Sequence, residues 1–159
     1  MQQERLRLLQ NMPIFGGIRE DILELILKET SILPVSAGQY FFRENDAGTS
    51  LYVLETGKAL VIKAWQGREF VLMELHAGDC FGEMSLIDLG PRTASVLAIE
   101  DCTAIKLTNA NILKIYRKDL EQFVMIQMNM AREISRRLRH TDEVLFQERL
   151  EAKKITRTL

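Results

Sequence analysis

The sequence predicts an α+β fold, mainly β: a β-roll or jelly-roll barrel flanked by N-terminal helices and two C-terminal helices, the last one long. Three observations predict it. Residues 3–30 carry helical periodicity, and residues 31–108 break into short strands separated by glycine turns. After Thr108 the helical period returns with no further Gly or Pro. The chain has 159 residues, 47% hydrophobic and 27% charged, which is apolar enough for one sizeable core and excludes a disordered chain.

In the first segment, Leu6, Leu8 and Leu9 form a short helical face that breaks at Asn11-Met12-Pro13, because a proline biases its predecessor away from helix. Ile14-Phe15-Gly16-Gly17 reads as a turn, and Ile22, Leu23, Leu25, Ile26 and Leu27 supply a second apolar helical face. Strands are expected at 31–35, 39–43, 50–55, 58–65, 69–75, 95–98 and 103–107, with turn signals such as Asn45-Asp46-Ala47-Gly48, Thr56-Gly57 and Gln66-Gly67 between them. Strands this short and closely spaced suit a barrel or sandwich that closes its own edges. Asn109 or Asn111 is expected to cap a short helix reaching about Arg117. A long helix follows, from about Asp119 toward Lys154, with Leu120, Phe123, Ile126, Met130, Ile134, Leu138, Leu145 and Ala152 as its apolar positions. A small barrel cannot cover so long a helix. The same helix of a second copy is the simplest cover, which predicts a homodimer; a solvated, frayed tail is the alternative. The whole reads as one domain over 1–159: an N-terminal helical segment 1–30, a β-roll 31–108 and C-terminal lid and dimerisation helices 109–159.

Charge and cysteine usage narrow the function classes. Lys+Arg at 21 against Asp+Glu at 22 leaves a net charge of −1, which removes the bulk argument for nucleic-acid binding. Ser135-Arg136-Arg137-Leu138-Arg139-His140 is the only basic cluster, and it is read as a solvated helix face paired with Asp142, Glu143, Glu148 and Glu151. Cys80 and Cys102 form neither a disulfide framework nor a metal-ligand pattern, so both are expected to be small buried hydrophobes. With no signal peptide and no bilayer-length apolar run, the chain is expected to be cytoplasmic and away from membranes.

The chemistry is concentrated in residues 81–96, Phe81-Gly82-Glu83-Met84-Ser85-Leu86-Ile87-Asp88-Leu89-Gly90-Pro91-Arg92-Thr93-Ala94-Ser95-Val96. Glu83-Met84-Ser85-Leu86 can make one helical turn after a glycine, presenting unpaired backbone N–H groups to an anion. Arg92 adds a planar donor pair suited to phosphate oxygens. Glu83 would repel a phosphate unless it had its own partner, and a sugar hydroxyl is one, since an ionised carboxylate only accepts. Phosphate and hydroxyl held by one compact loop imply a nucleotide whose phosphate lies close to the ribose.

This run resembles the phosphate-binding cassette of the cyclic nucleotide-binding domain family, with its F-G-E, small residue, Leu, then Pro-Arg-x-Ala pattern. The resemblance extends over residues 5 to 150, through the N-terminal helices, the glycine-punctuated roll and the C-terminal helices. It implies the ligand-binding set Gly82, Glu83, Met84, Ser85, Arg92, Thr93, Ala94 and Thr141. In it Glu83 would accept from the ribose 2′-hydroxyl and Arg92 would pair with the cyclic phosphate. The backbone at Gly82 and Ser85, the Thr93 hydroxyl and the Ala94 amide would complete the cradle. For an isolated pair, a Glu83–Arg92 salt bridge stabilising the loop would be the simpler reading.

The string 136–143 resembles the long helix of bacterial catabolite activator proteins, where a Thr matching Thr141 receives the adenine amino group. Asp142 stands where that subfamily uses Ser. The ligand expected is therefore cAMP in preference to cGMP, although the Thr93 hydroxyl could also reach a guanine in the syn form. His140 is expected on the helix surface. No catalytic or metal set is expected: His76 and His140 are the only histidines, and no Walker A or HExxH motif occurs. No cofactor is expected, and ending at Leu159 the chain is expected to bind no DNA directly. The reading is a non-catalytic sensor that acts on an unknown downstream protein by switching its C-terminal helices. The alternative is a protein-interaction module of the same fold that binds no nucleotide, or a different ligand such as a cyclic dinucleotide.

Overall fold

The computed structural model describes residues 2–157. Helix α1 (Gln2–Gln10), a 3-10 turn (Pro13–Phe15) and α2 (Glu20–Glu29) precede five strands: β1 (Ser31–Val35), β2 (Tyr40–Phe42), β3 (Ser50–Thr56), β4 (Ala59–Trp65) and β5 (Arg68–Leu75). Then come β6 (Cys80–Phe81), α3 (Met84–Asp88), β7 (Ser95–Ala98), β8 (Cys102–Thr108), α4 (Asn109–Lys118) and α5 (Leu120–Arg157). The strands form two antiparallel four-stranded sheets, in the orders β1-β8-β3-β6 and β2-β7-β4-β5.

The first sheet has a core on each side, which follows from strand alternation. Leu51, Val53, Ile105 and Leu107 face the helices and meet Ile14, Phe15, Ile22, Ile126 and Met130. Tyr52, Leu54, Cys102 and Ala104 face the second sheet and meet Phe41, Ala59, Leu75 and Val96. Both cysteines are buried and free, as their composition suggested.

Helix α5 is pinned to the N-terminal turn by polar contacts as well as by Ile126 and Met130. Asn129 Nδ2 donates to the carbonyls of Ile14 (3.3 Å) and Gly16 (2.9 Å), and Gln122 accepts from the Arg19 amide at 2.8 Å. Asp119 accepts from the Gln122 amide at 3.1 Å and from Arg19 Nη1 at 2.8 Å. These bonds seat the first three turns of the helix and carry its remainder past the mouth of the roll.

The structure adds a strand, moves a cap and sorts the apolar positions of the long helix. Residues Cys80–Phe81 form a strand paired to β3 (Tyr52↔Phe81, Val53↔Cys80), too short to show alternation in the sequence. The cap of α4 is neither Asn109 nor Asn111 but Thr108, which shares a capping box with Asn111. The apolar positions of α5 divide between two faces: Ile126 and Met130 are buried on the chain's own core, whereas Leu120 is 57% exposed, Leu138 58% and Leu145 44%.

Candidate functional site

Strand β6 is followed by Gly82, where φ is +79°. A Cβ at that position would stand 2.6 Å from Arg92 Nη1 and 3.2 Å from the Ser50 carbonyl, so only glycine lets the guanidinium pass over this backbone. Gly48 plays the corresponding part on the other side of the cassette, where a Cβ would fall 2.2 Å from Ser85 Cβ. The Arg92 backbone is held in turn: its amide donates to the Asp46 carbonyl at 2.9 Å, and its carbonyl accepts from the Asn45 amide at 2.8 Å.

The Arg92 side chain is buried and lies over the Phe42 ring, with Cζ 4.0 Å from the centroid. Its Nη1 donates to the Gly82 carbonyl at 2.8 Å and its Nη2 to the Ser50 carbonyl at 2.7 Å. Its Nε is buried without a partner, and no carboxylate among the described residues pairs with the guanidinium. Burial pushes the Arg92 guanidinium below its ordinary pKa, with Tyr52 acting the other way. Two neutral carbonyls thus orient a desolvated cation that an anion would complete.

Glu83, also buried, does not bridge to Arg92. Its Oε1 accepts from Arg137 Nη1 of α5 at 2.7 Å, while Arg137 Nη2 donates to the Cys80 carbonyl at 2.7 Å and Nε lies 3.4 Å from Glu133. The basic cluster is therefore not simply a solvated face answered by the acidic residues that follow it. Arg137 turns inward to the cassette, and Arg136 pairs with Glu133. The charge run hid this role, although Arg137 lies four residues before Thr141 and so shares its helix face.

All eight sequence-predicted residues, Gly82, Glu83, Met84, Ser85, Arg92, Thr93, Ala94 and Thr141, line one cavity of about 590 Å³. Cassette, roll and long helix meet there. The Thr141 hydroxyl donates to the Arg137 carbonyl at 3.0 Å, leaving its oxygen to accept. Sequence reasoning missed Lys63 from β4, Leu72 and Met73 from β5, and Arg136 and Arg137 from α5, which line the same cavity; His140, expected on the surface, lines it too while remaining exposed. Among the described residues no group of three or more His, Cys, Asp or Glu side chains could hold a metal ion. No described helix is long and apolar enough to cross a membrane. The cavity offers a buried cation, a buried carboxylate and an apolar rim, the complement of a small polar anion that carries a hydroxyl and a flat apolar part.

Comparison with known proteins agrees with this geometry. A family model described as "Cyclic nucleotide-binding domain" matches residues 32–119. The cyclic AMP receptor protein of Thermus thermophilus is 31% identical over 135 residues, covering 84% of this chain and 61% of that protein. A cAMP-dependent protein kinase regulatory subunit of Emericella nidulans is 31% identical over 99 residues, 62% of this chain and 24% of the subunit. The chain thus spans less than two thirds of the length of these relatives. Among solved structures, the Thermus thermophilus catabolite activator protein superposes with a TM-score of 0.74 at 32% identity, covering 84% of this chain and 61% of that one. The regulatory domain of Toxoplasma gondii PKA, crystallised with cAMP, gives a TM-score of 0.68 at 26% identity over 72% of this chain and 44% of that one. By sequence, fold and the placement of its cassette, the chain belongs to the cyclic nucleotide-binding domain family.

Proposed function

We propose that the chain works as a single non-catalytic sensor domain for a cyclic nucleotide, cAMP in preference to cGMP, and relays occupancy through α4 and α5. The observation that carries this reading is the buried Arg92, whose Nε has no partner, on the same cavity as the buried Glu83 carboxylate. Arg92 would take the cyclic phosphate, assisted by the backbone of Gly82 and Ser85, by Met84 at the start of α3, and by Thr93 and Ala94. Glu83 would accept from the ribose 2′-hydroxyl. Support for adenine comes from Thr141: with its proton given to the Arg137 carbonyl, its oxygen can accept from an adenine amino group but cannot donate to a guanine carbonyl. The regulatory role agrees with relatives named as a receptor and a kinase regulatory subunit.

The switch is the Glu83–Arg137 pair. It ties α5 to the cassette through the carboxylate that the ribose would use, so ligand and helix bear on the same group. Ligand can shift the helix only by binding its two positions unequally, and a shared carboxylate supplies that inequality. The exposed α5 residues Leu120, Val124, Met128, Leu138 and Leu145 would pair with those of a second copy in the cytoplasm, giving a homodimer that acts on a downstream protein.

Titration calorimetry of ligand-stripped protein with cAMP, and with cGMP as competitor, tests the reading. Saturable cAMP binding at one site per chain is expected in the wild type, with loss of at least about two orders of magnitude in Arg92→Ala, the loss of a charge-assisted bidentate contact. Equal affinity in the variant, or no heat with either nucleotide, would refute it.

A further inference from the structure

The Arg92 guanidinium is held at its edge by carbonyls and on its flat side by rings. Its Cζ lies 4.0 Å from the Phe42 centroid and 5.7 Å from that of Tyr52. Phe42 belongs to a set of rings drawn from β2, β3 and β6. Its centroid is 5.8 Å from that of Tyr52 and 6.1 Å from that of Phe81, and Tyr52 stacks on Phe81 at 5.3 Å with the planes 16° apart. The Ser50 hydroxyl donates to the Tyr52 oxygen at 3.1 Å and fixes that ring further. Tyr52 and Phe81 are buried, whereas Phe42 is half-buried and lines the cavity. The ring has little room to turn on the side of the cassette, where a Cβ at Gly82 would fall 3.3 Å from Phe42 Cε1.

The choice of a ring has a consequence for binding. A carboxylate in its place would satisfy the charge, but it would take the same N–H edge that an incoming phosphate needs and would have to be displaced. An aromatic face attracts a cation through its quadrupole and engages the flat of the guanidinium, so the edge donors stay available. The two carbonyl bonds of Arg92 use part of that edge, and the unpartnered Nε is a donor still on offer. We propose that Phe42, braced by Tyr52 and Phe81, is a positioning residue for anion capture: its ring face holds Arg92 aimed into the cavity both before and after the phosphate arrives, so that no ion pair has to break on binding. The inference rests on the nucleotide reading above and adds to it a residue that acts through Arg92.

Titration calorimetry on ring variants tests it. Phe42→Leu keeps an apolar side chain without an aromatic face and is expected to weaken cAMP binding about tenfold, the loss of a desolvated cation–π contact. Since a smaller side chain also changes packing, phenylalanines carrying one, two or three ring fluorines are placed at position 42 as well. Fluorine keeps the shape of the ring and drains charge from its face, so affinity is expected to fall with each atom added. A further measurement needs no nucleotide: in urea unfolding, Phe42→Leu combined with Arg92→Met should cost less than the sum of the two alone. Affinity that ignores the fluorine count, or strict additivity in unfolding, would overturn the inference. Failure of the underlying reading looks different: wild-type protein that gives no heat with cAMP removes the nucleotide, and the capture role with it, whichever way the unfolding cycle falls. A wild type that binds, beside a fluorinated series that binds equally well, overturns the role of the ring alone.

Discussion

At the residue scale, the site is a problem of burying two opposite charges that do not touch. Arg92 is held by carbonyls and Glu83 by Arg137, so each is satisfied through a different element. Removing Arg137 leaves a buried carboxylate without its cation. Arg137→Met is expected to destabilise the unliganded protein by about 2 kcal/mol, read from urea unfolding. Adding Glu83→Gln should recover much of that loss, because the lone charge goes with it; strict additivity would show that the two do not act as a pair. Glu83→Gln alone should narrow the preference for ribose over 2′-deoxyribose cyclic nucleotides, and an unchanged ratio would exclude the hydroxyl contact. The sequence motif singled out both Arg92 and Glu83, which line one cavity, while the partner of Glu83 lies 54 positions away in a run that reads as ordinary surface charge.

At the scale of the element, α5 begins on a cap that is also an ion pair. The Gln122 amide, chiefly, and then Arg19 hold the Asp119 carboxyl below its usual pKa. A carboxyl whose folded pKa is depressed contributes stability above its unfolded value and loses it as the pH falls through the folded one. The cap is therefore fully present at neutral pH and fades only below the ordinary Asp range. Asp119→Asn is expected to lower the melting temperature by a few degrees at pH 7, with the difference from wild type closing under strongly acid conditions; a difference independent of pH would assign the effect to packing. The start of this helix was read to within a residue, because Asp119 is a good cap and the run beyond it has no Gly or Pro. The cap of α4 was not, since Thr108, Asn109 and Asn111 are all competent and only the register of β8 chooses among them.

At the scale of the whole molecule, α5 leaves a run of apolar side chains exposed, among them Val124, Met128, Leu138 and Leu145. A helix of 38 residues is about 57 Å long, far more than the roll can shield. If the homodimer proposed above pairs α5 in parallel along the exposed Met128, Leu138 and Leu145, Asp142 would meet its own copy, a repulsive layer where a neutral residue would be better tolerated. Asp142→Asn is expected to tighten the dimer several-fold in sedimentation equilibrium, whereas Leu138→Asp with Leu145→Asp should give a monomer. A dimer indifferent to all three changes would place the interface elsewhere.

Much of this protein was determined by local rules. Glycine at forced turns, alternation in strands, an apolar helical period and the dense cassette motif at 81–96 are each written within a few residues, and they were enough for the fold and for the eight residues that share the cavity. What tertiary structure alone decided was contact between distant segments. It assigned Arg137 to Glu83 and Cys80, exposed the β5 rim at Leu72 and Met73, and divided the apolar positions of α5 between an inner and an outer face. The physical reason is that charge and apolarity are properties of a residue, whereas burial and pairing depend on how the chain brings its neighbours to it.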